Sequence, residues 1–478
     1  MLSERLQPYR YTWPLDDLRR DRHWSASSDG ALVRSLPEDP DELAQDSRWP
    51  AFFPSPTCLV TSGNERVGAL EKVVGPSIVN RFPYVVALSF CKEELSSRHY
   101  ARSNFCRILE ETGTAAVQFL MPGADLDSAM SAITSVPDSA TTSRLARSGL
   151  GIRPALTSDT PVFSSAYLVY EAALAKPMTD HLGVQVYDEP WVDAGSHRVY
   201  FLEINAILLR DDIASGHRQI RWTSLPSFHP RYSAGTEAHA IPVGAASPGR
   251  YQKSYNPRYS FPSAGTIAFQ ADSHAYGMAV KYLSREDPWI LDDDQARWPC
   301  FFPQSAAMIT SRHGDHMNVM PCGSTAIVSR RPLTIAPCVS YAEINQRYAP
   351  RASLELIRAS GRFGAGVPFI DDQVVSAIKY AGNTSLKHRD DKLWQTGLGV
   401  GDWSGMPYFP ELPIHFDCRL AGEIRLGTHL MFLGVVESIR VRPDVTPDNP
   451  LTWCTWADVE LASESWPKEE QLRVRLPT

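Results

Sequence analysis

The sequence predicts a mainly β protein with short helices (α+β), organised as two related β-barrels in tandem. Three observations lead there. An unusual phrase occurs twice, as RWPAFFPSPTCLVTS from Arg48 and as RWPCFFPQSAAMITS from Arg297. The same succession of strand-like and helix-like segments follows each copy, and each succession closes on a long apolar stretch opened by Gly-x-His. Many strands with few short helices, in units of roughly 165 residues, suit a closed barrel with helical caps.

The elements follow in order. A shift of 249 residues keeps Arg48 to Pro83 in ungapped register with Arg297 to Pro332. Identical pairs include Trp49/Trp298, Phe52/Phe301, Phe53/Phe302, Thr61/Thr310 and Ser62/Ser311, and they resume at Ile78/Ile327, Val79/Val328, Arg81/Arg330 and Pro83/Pro332. Such a repeat is sought first because it decides the architecture. TCLVTS and AAMITS are short, apolar and partly β-branched, so they read as strands, as do YVVALSF from Tyr84 and LTIAPCVSY from Leu333. SNFCRILEETG and SLELIRASG read as amphipathic helices stopped at Gly113 and Gly361, since glycine enters the left-handed region after a last helical turn without a Cβ clash. Strands TAAVQFL and FGAGVPF come next, then polar helical stretches. GSHRVYFLEINAILLRDD from Gly195 and GTHLMFLGVVESIRV from Gly427 are the closing strands. Residues 214–296 are dense in Pro, Gly and Ser yet too rich in Tyr, Phe and Arg for a flexible linker, so they read as an ordered insertion packed over both barrels. The resulting division is an N-terminal extension (1–47), a first barrel (48–213), the linker (214–296) and a second barrel (297–478).

Composition narrows the function. At 478 residues the chain exceeds one ordinary core, and 43% hydrophobic with 21% charged residues is globular. A net charge of −7 without a basic block disfavours nucleic acid as a partner. The N-terminus has no secretory h-region and no stretch reaches the roughly 20 apolar residues of a membrane span, so a cytoplasmic protein is expected. Eight cysteines are scattered without a CxxC pair, which reads as reduced thiols. HGDH (His313 to His316) reads as a polar loop before a metal site, and no metal is expected. GxSxG, GxGxxG and GxxxxGK[ST] motifs are missing, which leaves no sign of a serine nucleophile elbow, a Rossmann domain or a P-loop.

The second half resembles the flavin-reductase-like proteins of the FMN-binding split-barrel family. The residues that carry the likeness are NVMPCGSTAIVSRRPLTIAPCVSY from Asn318, RASLELIRASG from Arg351, FDCRL from Phe416 and GTHLMFLGVV from Gly427. The first half shares the layout but has Ala69 for Asn318, Glu71 for Met320, Asn80 for Ser329 and Phe105 in the slot of Ser353. The resemblance implies two tandem copies of the split barrel forming an intrachain pseudo-dimer, the first degenerate, with flavin at the interface. A covalent link raises the effective concentration of the halves and lets them diverge. The chain is then a monomer as pseudo-dimer, or a homodimer.

By this resemblance Arg351 and Ser353 lie at the FMN phosphate, Ser353 as N-cap of its helix, where free N–H groups and the dipole favour an anion. Backbone groups from Met320 through Cys322, Gly323 and Ser324 meet the ring, with Asn318 and Ser329 as side-chain contacts. His429 holds the slot beside the nicotinamide and flavin N5, where it positions the dihydronicotinamide or donates a proton. Thr428 replaces the family's Asp, and the twin His197 suggests that both histidines serve the fold as much as catalysis. The aromatic clusters at Arg48 to Phe53 and Arg297 to Phe302 read chiefly as packing at the pseudo-dimer seam, otherwise as an aromatic wall.

The implied function is that of an FMN-dependent oxidoreductase in which NAD(P)H reduces the flavin, serving free flavin, a small-molecule substrate or a monooxygenase partner. Two alternatives stay open: a biosynthetic enzyme that reuses the cleft without flavin redox, cofactor-free or haem-using, and a non-catalytic subunit of a monooxygenase system.

Overall fold

The protein, seen here in a computed structural model, is described at residues 10–11, 24–36, 57–91, 104–120, 123–136, 143–211, 273–283, 285, 304, 306–341, 351–369, 371–386, 390–444, 451–452 and 454. The repeated aromatic phrases, most of the 214–296 segment and the greater part of residues 1–47 lie outside them.

A hairpin, β1 (Ser25–Ala26) and β2 (Leu32–Ser35), precedes the first half. That half runs β3 (Thr57–Gly63), β4 (Gly68–Val74), β5 (Ser77–Asn80), β6 (Val85–Cys91), α1 (Asn104–Thr112), β7 (Thr114–Leu120), α2 (Ala124–Ser135), β8 (Ala166–Leu174), the short β9 (Met178–Thr179), β10 (Gln185–Val186) and β11 (Trp191–Ala194), then β12 (His197–Arg210). A second hairpin, β13 (His274–Ala275) and β14 (Met278–Tyr282), precedes the second half. There follow β15 (Ala307–His313), β16 (His316–Cys322), β17 (Thr325–Arg330), β18 (Leu333–Ser340), α3 (Ala352–Ser360), β19 (Arg362–Val367), α4 (Asp372–Asn383), β20 (Ile414–Arg425) and β21 (His429–Val441). Both sheets are antiparallel throughout and share one order, β4-β3-β7-β8-β12-β6-β5 and β16-β15-β19-β20-β21-β18-β17. The expected helix ends are present: Gly113 and Gly361 stand at φ 71° and 67°.

The barrels are split, not closed. No pairing joins the two ends of either sheet among the described residues, and the strands left at each opening lean on the other half. Alternation explains how one strand serves two cores. Along β12, Tyr200, Leu202 and Ile204 enter the first barrel's interior while Val199 and Phe201 face a shared layer with Val328, Met431 and Leu433. Along β21, Leu430 and Phe432 enter the second interior while Met431 and Leu433 face that layer. Burial on both faces is why these strands read as nearly unbroken apolar runs. The architecture is a mainly β pair of split barrels packed as an intrachain pseudo-dimer.

Two reciprocal contacts hold the pair. Each Gly-x-His turn presses on the opposite half: a methyl group at Gly195 would sit 2.2 Å from Arg331 O, and one at Gly427 would sit 2.7 Å from Phe82 O. Both glycines have positive φ, 55° and 105°, so glycine answers two demands there. The leading hairpins are exchanged as well. β2, ahead of the first half, pairs with β21 of the second (Ser35 with Ser438, Leu32 with Val441). β14, ahead of the second half, pairs with β12 of the first (Tyr282 with Ala206, Ala279 with Leu209). Thus a described part of the N-terminal extension and of the linker is structural, each completing the sheet of the other half. No helix among the described residues is long and apolar enough to cross a membrane, and no group of three or more metal-ligating side chains occurs among them. HGDH is the turn joining β15 to β16.

Candidate functional site

α3 begins beside the end of β18, and this places the site. The Arg351 N–H donates to Ser340 O (3.3 Å), and Ser340 is the strand partner of His429. Helix start, strand end and Gly-x-His turn therefore converge. α3 opens at Ala352 with Arg351 as N-cap residue and no side-chain cap. Ser353 is thus in the first turn and does not cap, which differs from the expectation. Its fully buried hydroxyl instead accepts from Asn318 Nδ2 at 2.9 Å, reaching across from β16. Asn318 is itself buried, and its Oδ1 has no hydrogen-bond partner among the described residues. A buried acceptor left without a donor costs about 1–3 kcal/mol, so a ligand N–H or O–H placed there would recover that loss.

Positive charge gathers at the same place. Lys392 is 4% exposed and has no carboxylate partner among the described residues. Burial, with the Arg351 charge adding to it, lowers its pKa to about 7. His429 is buried, and burial together with the Arg81 and Arg351 charges pushes its pKa down to about 3. The ring is neutral, and its tautomer follows from its neighbours. Thr428 Oγ1 donates to Asn80 Oδ1 (2.7 Å), so the 2.8 Å contact between Thr428 Oγ1 and His429 Nδ1 has the imidazole as donor. Nε2 is then the unprotonated nitrogen, suited to accepting a hydrogen bond. Asn80 Oδ1 also takes the Thr428 and His429 backbone N–H groups (2.9 and 3.1 Å). The first half therefore builds the turn that carries the second half's histidine.

The remaining sequence-derived residues divide. Cys322 is buried near Arg351; burial raises its thiol pKa, and its Sγ donates to Cys338 O (3.2 Å). Gly323 and Ser324 make the turn into β17, with Ser324 O held by Cys338 N (2.9 Å). Met320 belongs to the second barrel's core, so only its backbone is available to a ligand. Ser329 is not with this group. It lies at the opposite seam, where its Oγ accepts from Arg331 N (3.2 Å) and approaches Ser196 Oγ (3.5 Å), beside His197. His197 repeats the His429 arrangement, with Nδ1 2.7 Å from Ser196 Oγ and a pKa pushed to about 3 by burial and the Arg330 charge.

The two clefts are unequal. In the slot of Ser353 the first half has Phe105, fully buried and stacked on Phe90 (centroids 4.7 Å apart, 22° between planes). In the slot of Asn318 it has buried Ala69, and in that of Met320 it has Glu71, whose carboxylate is held by Arg144. An aromatic stack and a carboxylate occupy the region that in the second half is polar and cationic.

Sequence reasoning missed Lys392, Arg81 and the supporting role of Asn80. Lys392 follows Asp390 and Asp391, which suggests a solvated charge run, and only the fold shows it buried. Arg81 was visible as the twin of Arg330.

The flavin reductase like domain family matches residues 299–460. Similar solved structures include a flavoredoxin from Methanosarcina acetivorans, 17% identical over 33% of this chain and 86% of that one, TM-score 0.27. A nitrilotriacetate monooxygenase component B homologue from Mycobacterium thermoresistibile is 24% identical over 30% and 73%, TM-score 0.26. An NADH:FAD oxidoreductase of Streptomyces globisporus C-1027 is 19% identical over 30% and 78%, TM-score 0.25. No curated protein matches the chain.

Proposed function

We propose that the chain is an FMN-dependent oxidoreductase with one working cleft, built on the second half (297–478) and walled by a first half (48–213) that is a drifted copy of the same domain. The observation that carries this reading is the site at the start of α3. Arg351 and Lys392 gather there without a described carboxylate beside them, next to the buried unpartnered acceptor of Asn318. That donor set suits FMN. Arg351 and Lys392 would hold the phosphate, as paired cations do, and Asn318 Oδ1 would accept from a ribityl hydroxyl or a ring N–H. Bound FMN supplies a reversible two-electron centre that accepts hydride, here from NAD(P)H.

The chain's own residues position and polarise. With its ring neutral, His429 would not deliver a proton at neutral pH. Arg81 and Arg351 add positive charge around His429. Electrons would pass to free flavin, a small organic acceptor or an oxygenase partner.

The test is an FMN titration of the purified chain followed by quenching of flavin fluorescence, with the visible spectrum of the complex. Uptake of FMN that Arg351→Ala weakens at least tenfold supports the reading. A protein that takes up no FMN refutes it.

A further inference from the structure

The halves differ most between their last two long strands. In the second, β20 turns into β21 through residues 426–428; in the first, residues 175–196 intervene between β8 and β12. The inserted chain folds β9 against β10 and leaves its parent barrel for the other. Asp180 makes the anchor. Its Oδ1 accepts from Leu182 N (2.8 Å) and Val184 N (2.9 Å), closing the hairpin tip. Its Oδ2 accepts from the Tyr341 hydroxyl (2.7 Å), with Arg425 Nη1 3.7 Å away. The His181 ring lies 5.3 Å from the Tyr341 ring, and the Tyr187 hydroxyl donates to Leu426 O (2.6 Å). Tyr341, Arg425 and Leu426 all belong to the second half.

These anchors stand at the rim of the cleft. Tyr341 adjoins Ser340, which holds Arg351 and pairs with His429. Its own N–H donates to Thr428 O (3.2 Å). The tip beyond the anchors is apolar yet uncovered: Leu182 is 60% exposed and Val184 38%. A hairpin kept only for packing would turn Leu182 inward, because taking an apolar side chain out of water is favourable. Here the buried, hydrogen-bonded part is the carboxylate and the exposed part is the leucine.

We infer that the 175–196 insertion is a strap by which the first half completes the second half's cleft, with His181 and Leu182 forming the contact for the second ligand, the flat ring of a dihydronicotinamide. This rests on the flavin reading above. Asp180 and Tyr341 position the strap. His181 and Leu182 touch the ring and set its affinity, leaving the phosphate end of the flavin site to Arg351 and Lys392.

The test uses the full chain, FMN, and NADH and NADPH as probes. FMN affinity is measured by fluorescence quenching, and steady-state KM for each dinucleotide at saturating FMN. Leu182→Asp, at an exposed position, should raise KM about tenfold or more, the size of effect a lost apolar contact gives, while FMN affinity stays within twofold. His181→Ala should move KM in the same direction. An unchanged KM in both variants, an FMN affinity that falls in step with KM, or an FMN-loaded wild type that neither dinucleotide reduces would each overturn the strap. A wild type that takes up no FMN would overturn the underlying function first.

Discussion

Lys392 gives the sharpest test of the cleft. Its pKa near 7, set by burial and the Arg351 charge, means that the amine is about half protonated at neutral pH in the free protein. Only the ammonium form pairs with a phosphate. The sign follows: raising pH through 7 removes the competent form, so FMN affinity falls as pH rises. Apparent affinity scales with the competent fraction, so the loss between pH 7 and pH 9 is roughly 50-fold. Below about pH 6 the phosphate itself takes a proton and affinity drops again, placing the optimum between those limits. Lys392→Met removes a charge-assisted hydrogen bond of about 1.5–3 kcal/mol, which is roughly 10- to 150-fold in FMN affinity at pH 6.5. It also flattens the profile above pH 7. Riboflavin, lacking the phosphate, should bind wild type and variant alike. Fluorescence titrations at half-unit pH steps read all three. A wild-type affinity that does not change between pH 7 and pH 9, or a variant that binds FMN as wild type does, would refute the reasoning.

Titration to saturation should find one FMN per chain, since Phe105 and the Glu71–Arg144 pair fill the first half's equivalent region; two per chain would contradict this. Gly195→Ala and Gly427→Ala each force a Cβ into the opposite half's backbone at a positive φ. Each should cost about 2–4 kcal/mol in urea unfolding from overpacking and left-handed strain combined, and midpoints equal to wild type would show the seam to be loose. Three histidines, His197, His415 and His429, are held near pKa 3 by burial. Their depressed pKa favours the neutral form in the folded state, so their contribution is complete above the unfolded value of 6.5 and is lost as pH falls toward 3. Unfolding free energy should decline over that window, and His415→Phe should make the decline shallower by up to one proton; an unaltered slope would remove His415 from the account.

Much of the fold was legible because period and punctuation are local. The helix stops at Gly113 and Gly361, the paired strand order and the long Gly-x-His strands all follow from spacing along the chain. The two halves also disclosed their inequality, since Phe105 against Ser353 is a difference one can read. What stayed hidden depends on contacts between distant segments. The exchange of the two leading hairpins leaves no mark in either sequence. Ser353 looked like an N-cap because serine favours that place, yet Asn318 donates to its hydroxyl from another strand, and the cap lies two residues earlier at Arg351, whose N–H contacts Ser340 O. Ser329 aligned with the ligand slots of its own half but faces the other seam. Lys392 sat behind two aspartates and looked solvated.

The hairpin exchange has a consequence for how the protein is made. Leu32 to Ser35 leave the ribosome about 400 residues ahead of the strand edge they need, Ser438 to Val441. At 5–20 residues per second that is a wait of roughly 20–80 s. The other hairpin has no such delay, because its partner strand precedes it. The first barrel can therefore mature while the chain is still growing, whereas the second completes its sheet only when residues 32–35 meet residues 438–441.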